Sequence, residues 1–203
     1  MKILLTGFEP FGGYPINPSQ LLIQALPDQY LGMRLVKHVL PVHHQQGPQN
    51  ILELLRSHQP DAVIAFGLAS GRAQISLERV ALNLLDFSIA DNAGVIVENQ
   101  PIVPGGPTAY FSTLPLPAMQ AALTSDGISS ELSLSAGAYL CNQVFYTLMH
   151  EIASQDLSTQ AGFVHLPDLP EQAAQSSKPI PSMSLEVLIQ AAHILVGQLG
   201  SVA

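Results

Sequence analysis

Charge is scarce in this chain, and positive charge is scarcest. Its 203 residues carry 7 Lys and Arg against 15 Asp and Glu, a net charge of −8 with neutral histidines. A pI near 5.1 leaves no basic footprint for nucleic acid. It equally disfavours an anionic membrane surface. Cys141 is the lone cysteine, which excludes an intramolecular disulfide and a cysteine-based metal cage. No apolar run approaches the roughly 18 residues of a membrane span. The apolar run at the N-terminus is too short for a secretion signal, so the cytoplasm is the expected compartment. Hydrophobic residues make up 47% and charged residues 11%, where about 25% charged is usual. The chain is therefore core-rich, and its length suits one domain, 1–203. So few charges also suggest that part of the surface is covered in a homo-oligomer.

Apolar runs alternate with helical patterns. Strands are expected at Ile3–Thr6, Met33–Leu40, Asp61–Phe66, Ile75–Leu85, Ile128–Ser135 and Gly162–Leu166. Helices are expected from Asn17-Pro18 to Leu26, and over Gln49–Ser57, Leu116–Leu123, Asn142–Ile152 and Ser184–Leu199. Asp86–Thr113, rich in Gly, Pro, Asn and Asp, reads as a long loop or lid. Strand–helix alternation predicts an α/β fold: an open, twisted, mostly parallel sheet with helices on both faces, an α/β/α sandwich. Active sites of such sheets lie outside the C-terminal strand ends. That directs attention to Gly7–Gly13, Gly67–Gly71, Ser135–Asn142 and His165–Pro170.

Cys141 falls at a strand-to-helix turn, where the positive helix end is expected to lower its pKa and offer N–H groups to an oxyanion. An inert buried thiol is the competing reading. His165 ends an apolar run and is placed to serve as a base, or simply to cap the strand. Glu78 interrupts another apolar run. A buried carboxylate needs a partner, either a histidine N–H or an ion pair with Arg72 or Arg79. Asp86, Asp91 and Asp168 are rival carboxylates. The adjacent His43 and His44 would point apart on a strand, and no spacing resembles a metal site. Gly7–Gly13 lacks the Lys-Ser/Thr ending of a phosphate loop, but Phe8 and Phe11 on it could clamp a flat ligand.

Together these motifs resemble the pyroglutamyl-peptidase I (pyrrolidone-carboxylate peptidase) family. The most specific piece is Ser133-Leu-Ser-Ala-Gly-Ala-Tyr-Leu-Cys-Asn142, followed by Gly67 with Ile75-Ser-Leu-Glu-Arg-Val-Ala-Leu-Asn83. Thr6-Gly-Phe-Glu-Pro-Phe-Gly-Gly13 with Asn17-Pro-Ser19, and Gly162-Phe-Val-His-Leu-Pro167 with Pro170-Glu-Gln172, complete it. The resemblance implies a cysteine exopeptidase that removes an N-terminal pyroglutamyl residue from peptides through a thioester. It implies Cys141 as nucleophile, His165 as general base and acid, and Glu78 as orienter. Phe8, Phe11, Ile89, Tyr139 and Leu140 would line the substrate slot. It implies neither metal nor other cofactor, and a cytoplasmic homotetramer whose partners are pyroglutamyl peptides. The chain departs from the family pattern at Ser88, where members usually carry arginine, and at Leu68 and Ser70. A catalytically weakened lactam-binding homologue and a related Cys-His amidase are the alternatives.

Overall fold

The computed structural model describes residues 1–200. The elements run in this order: β1 (Lys2–Phe8), α1 (Pro18–Ala25), β2 (Gln29–Tyr30), β3 (Met33–Leu40), α2 (Gln46–His58), β4 (Ala62–Leu68), β5 (Ile75–Glu78), β6 (Val80–Leu82), β7 (Ala109–Phe111), α3 (Leu116–Ser125), β8 (Ser130–Ser133), α4 (Leu140–Ser154), β9 (Gln160–Leu166), α5 (Pro170–Gln175) and α6 (Leu185–Leu199). Seven strands form one sheet in the order β2-β3-β1-β4-β9-β5-β8. Its pairings are parallel except for β2 with β3 and β5 with β9.

The sheet is covered on both faces, as the alternating pattern predicts. Leu22, Met119 and Leu195 of α1, α3 and α6 pack with Ile3 and Ile64 on one side. Ile51 and Phe145 of α2 and α4 pack with Leu4, Val63 and Phe163 on the other. All seven residues of β4 are buried, which is why that strand reads as an unbroken apolar run rather than an alternation. Each fully buried Leu, Ile or Phe contributes about 1.5–3 kcal/mol of hydrophobic stabilisation.

After β1 the chain turns into α1 on one face; after β3 it turns into α2 on the other and returns as β4 beside β1. The loops after β1 and β4 therefore diverge, and a crevice opens between them at the C-terminal strand ends. Gly7 makes the first loop possible. A Cβ there would collide with the backbone of Ser19, so only glycine lets β1 lie against the start of α1. Asn17 caps α1 by accepting the Ser19 N–H at 3.0 Å, and its amide donates to the Glu9 carbonyl at 3.0 Å.

Several boundaries differ from those expected. The run Ile75–Leu85 is not one strand. The chain leaves the main sheet at Arg79, and β6 pairs instead with β7 in a separate two-stranded sheet. The parting is fixed by the Arg79 backbone, whose N–H donates to the Ser133 carbonyl while its carbonyl accepts from Ser112. Helix α2 starts earlier than expected because Pro48 sits in its first turn, where a missing N–H is harmless. Strand β2 and helix α5 are too short for a periodic signal.

The segment 86–113 holds β7 and is pinned rather than free. Phe87 is buried, and its N–H donates to the Val97 carbonyl. Asp91 is the main anchor. The His44 N–H donates to Asp91 Oδ2 at 2.9 Å and the His44 ring Nδ1 lies 2.9 Å from the same oxygen, while the N–H groups of Ala93 and Val95 donate to Oδ1 at 2.9 Å. His43 and His44 do not point apart. They lie on a turn with rings stacked 5.2 Å apart, and His43, His44 and Asp91 are a group that could hold a metal ion. Their hydrogen bonds oppose that use. The His43 Nδ1 accepts the Gln45 N–H at 3.1 Å, and both Asp91 oxygens already accept two contacts.

Burial pushes the Asp91 carboxyl up, but the hydrogen bonds from His44, Val95 and Ala93 outweigh it and bring it down to about 2. A carboxylate held below its ordinary 3.8 contributes stability that is complete above that value and is lost as pH falls through about 2. Asp91→Asn should lower stability at neutral pH by on the order of 1–3 kcal/mol. It should also flatten the acid-side fall of Tm across that window, as measured by calorimetry. Superimposable pH–Tm curves for variant and parent would contradict the anchor.

Candidate active site

Glu78 is the last residue of β5, fully buried, and faces the same side as Phe163 and His165 of β9. The antiparallel register sets Ser76 opposite His165 and Glu78 opposite Phe163. Glu78 therefore meets His165 diagonally, and His165 Nδ1 lies 2.7 Å from Glu78 Oε1. An ionised carboxylate only accepts, so Nδ1 carries the proton and the far ring nitrogen keeps a free lone pair. The same oxygen also receives Arg72 Nη1 at 2.8 Å, and Oε2 has no partner. Both candidate partners of Glu78 are thus realised at once, on a single oxygen.

Cys141 is the second residue of α4, not a residue ahead of it. The helix start is held by Asn142, which is buried. Its Oδ1 accepts the Leu82 N–H at 2.9 Å, and its amide donates to the carbonyls of Leu82 and Leu84. The first N–H groups of a helix have no acceptor within it, and Cys141 lies in that first turn. Gly67 of β4, the register partner of His165, completes the placement. A Cβ at Gly67 would lie 2.8 Å from Cys141 Sγ and 2.8 Å from the Phe163 ring. Only a glycine leaves room for the sulfur beside the His165 strand.

The expected lowering of the thiol pKa does not occur. Burial pushes Cys141 up to about 12, Glu78 adds to the rise, and Arg72 opposes it. Burial also pushes His165 down, while its hydrogen bond and charge interaction with Glu78 pull it up and Arg72 pulls it down. Desolvation outweighs the helix end, and the resting pair is a neutral thiol beside a neutral imidazole.

A cavity of about 420 Å³ opens over these groups, within the usual range of small-ligand sites. Phe11, Ile89 and Tyr139 line it together with Cys141 and His165. Phe11 and Tyr139 rings lie 6.0 Å apart, and the Tyr139 hydroxyl donates to the Ala90 carbonyl at 3.1 Å. Phe8 and Leu140 do not line the cavity. Phe8 is 2% exposed and packs against Phe163, and Leu140 is buried in the same core cluster behind the site. Sequence reasoning missed Tyr14 and Gly12, which also line it, with Gly12 beside Ile89. The tyrosine follows the Gly12-Gly13 pair that turns the loop, which was the available signal. Ser88 also lines the cavity. Asp86 is exposed, and the buried Asp168 accepts the Gly71 N–H at 2.8 Å, so neither reaches His165. A depression of about 440 Å³ at the N-terminal ends of β4 and β9 is lined by Arg56 and Glu151, which pair with each other.

The chain and its fold have counterparts. The family model described as pyroglutamyl peptidase matches residues 1–199. A pyrrolidone-carboxylate peptidase of Thermococcus onnurineus is 44% identical over 196 residues, covering 97% of each chain. One of Vibrio vulnificus is also 44% identical, covering 96% of this chain and 91% of its own. The crystal structure of pyrrolidone carboxyl peptidase from Pyrococcus furiosus superposes with a TM-score of 0.96 at 40% identity, covering all of both chains. A whole-length match to the family model, near-complete relatives and a shared fold lead to one conclusion: the chain belongs to the pyroglutamyl peptidase family.

Proposed function

We propose that this chain is a cysteine exopeptidase that hydrolyses the bond after an N-terminal pyroglutamyl residue, with Cys141, His165 and Glu78 as its working triad. The observation that carries the proposal is the buried His165–Glu78 contact at 2.7 Å, in a cavity that also holds the lone thiol.

The neutral resting pair dictates the order of events. Sγ of Cys141 attacks the pyroglutamyl carbonyl while its proton passes to the free ring nitrogen of His165. The imidazolium so formed is stabilised by Glu78 across the Nδ1 contact. The carbonyl oxygen becomes an oxyanion that the first N–H groups of α4 can meet, each such donor being worth about 2.7–4 kcal/mol. His165 then returns the proton to the departing amine as the C–N bond breaks, leaving a thioester. Water, deprotonated by His165, attacks the thioester and releases pyroglutamate and the thiol.

The cavity walls suit that acyl group. Pyroglutamate is a flat, uncharged lactam, and the rings of Phe11 and Tyr139 with Ile89 offer it an apolar slot. Among the described residues, no carboxylate lines the slot to hold an N-terminal ammonium. Phe8 and Leu140 act from behind by keeping Phe163 and the start of α4 in place. We take 1–203 as one peptidase domain acting in the cytoplasm without metal or other cofactor. We also infer a homotetramer; the exposed Phe111 and Leu134 support a covered surface. Among the described residues, no helix is long and apolar enough to cross a membrane.

Purified protein should release a fluorogenic amine from a pyroglutamyl amide and not from prolyl or alanyl amides. Cys141→Ala should abolish that release. Equal release from the prolyl amide, or turnover retained in Cys141→Ala, would contradict the proposal. Removing a partly buried ring from the slot should weaken binding, so Phe11→Ala should raise KM about ten-fold with a smaller change in kcat. An unchanged KM would remove Phe11 from the slot.

A further inference from the structure

Arg72 lies on no strand or helix, yet its placement is fixed from three sides. The Ala69 N–H donates to the Leu166 carbonyl at 2.9 Å, and the Arg72 N–H donates back to the Ala69 carbonyl at 3.2 Å. The Gly71 N–H donates to Asp168 Oδ2 at 2.8 Å, and Asp168 is fully buried at the end of β9. Gly71 adopts a φ of +84, which allows the tight turn. The turn is thereby tied to the strand that carries His165. The guanidinium then spans two elements. Nη1 meets Glu78 Oε1 at 2.8 Å, and Nη2 donates to the Ser135 carbonyl at 3.1 Å, in the segment that leads into α4.

We propose that Arg72 is a positioning residue for the triad: it fixes the Glu78 carboxylate against His165 and supplies the positive charge that favours the Cys141 thiolate during attack. The inference rests on the triad reading above. Its first ground is geometric. Glu78 is fully buried with only two partners, both on one oxygen, while its other oxygen has none. Without Arg72 the carboxylate would keep a single hydrogen bond and could rotate away from the ring. An uncompensated buried charge is among the costlier defects a protein can carry.

The second ground is charge balance. The groups facing the site are Glu78 from β5, His165 from β9, Cys141 and Tyr139 at the start of α4, Tyr14 from the loop after β1, and Arg72 from the turn after β4. Among the described residues that line the cavity, Arg72 is the sole Lys or Arg. Ser88 also lines the cavity and supplies no charge. With Arg72, the thiolate–imidazolium state has two positive and two negative charges. Without it, the site is net negative both at rest and in that state, and the thiolate loses the guanidinium that offsets Glu78; the imidazolium, which Arg72 itself opposes, is supported by Glu78. The charge interaction of Arg72 with Cys141 favours the thiolate, opposite in sign to that of Glu78. Arg72 is about a third exposed at the side chain, so it can be replaced without opening the core.

The test compares Arg72→Gln and Arg72→Lys with the parent enzyme in two assays. The first is turnover of a pyroglutamyl amide. A full general acid–base contribution is worth roughly 100- to 10,000-fold, and a residue acting through another should cost less. Arg72→Gln should lower kcat about ten-fold, with KM nearly unchanged. The second is the rate at which iodoacetamide alkylates Cys141 across neutral to mildly alkaline pH. Each unit of upward pKa shift slows alkylation about ten-fold at fixed pH, so Arg72→Gln should react several-fold more slowly throughout. Arg72→Lys, which keeps the charge but not the two-pronged grip, should recover part of both losses. A purely structural role predicts the opposite in the second assay, because a loosened site exposes the thiol and speeds alkylation. Faster or unchanged alkylation in Arg72→Gln, an unchanged kcat, or a lysine variant no better than the glutamine variant would overturn the proposal. The alkylation assay needs no turnover, so it judges Arg72 even if the parent enzyme hydrolyses some other acyl group.

Discussion

One buried carboxylate oxygen organises this molecule. Oε1 of Glu78 takes both the imidazole of His165 and the guanidinium of Arg72, at the end of a strand whose four residues are all buried. A charge in that position must be compensated, and much of the surrounding architecture serves that need. Strand β5 runs antiparallel to β9, which gives the diagonal that brings Glu78 to His165. The chain leaves the main sheet at the next residue. The turn after β4 is tied to the end of β9 through a second buried carboxylate, Asp168, and so delivers the cation.

Burial sets the chemistry as firmly as it sets the geometry. The same exclusion of water that strengthens the His165–Glu78 contact keeps the thiol protonated and the imidazole neutral. On the proposed triad, the upward push on Cys141 and the downward push on His165 favour a thiol over a standing thiolate at rest. In the proposed mechanism, proton transfer accompanies attack and the charge pair forms as the substrate reacts. Interactions that strengthen in that state, such as the Glu78 contact and the helix-start donors, act on the transition state more than on the bound substrate. The close approach of Gly67 to Sγ holds the sulfur in register with the strand of His165 while this happens.

The sheet, its covering helices and the location of the cavity were all legible in the sequence. Period and run length report burial directly, as in the unbroken run of β4 or the Asn17-Pro18 start of α1. The three residues Cys141, His165 and Glu78 were each visible as a polar interruption next to an apolar run. Their joint placement was not, because the antiparallel pairing of β5 with β9 brings together residues 87 positions apart. The break at Arg79 was hidden for a similar reason: Ile75–Leu85 is apolar throughout, and only contacts made elsewhere in the chain part it. The thiol pKa went astray because a helix start can be read from sequence, whereas the desolvation opposing it depends on packing around the sulfur. Phe8 looked like a slot residue since a glycine-rich loop follows it, but its position at the end of a buried strand points it into the core.

The protonation state of His165 in the resting enzyme tests this picture most directly. Nitrogen-15 NMR of the imidazole, recorded at neutral pH without substrate, distinguishes a neutral ring from an imidazolium. A neutral ring with its proton on Nδ1, facing Glu78, is the expected result. An imidazolium at neutral pH, with Cys141 already ionised, would contradict it and mean that the charge pair exists before the substrate arrives.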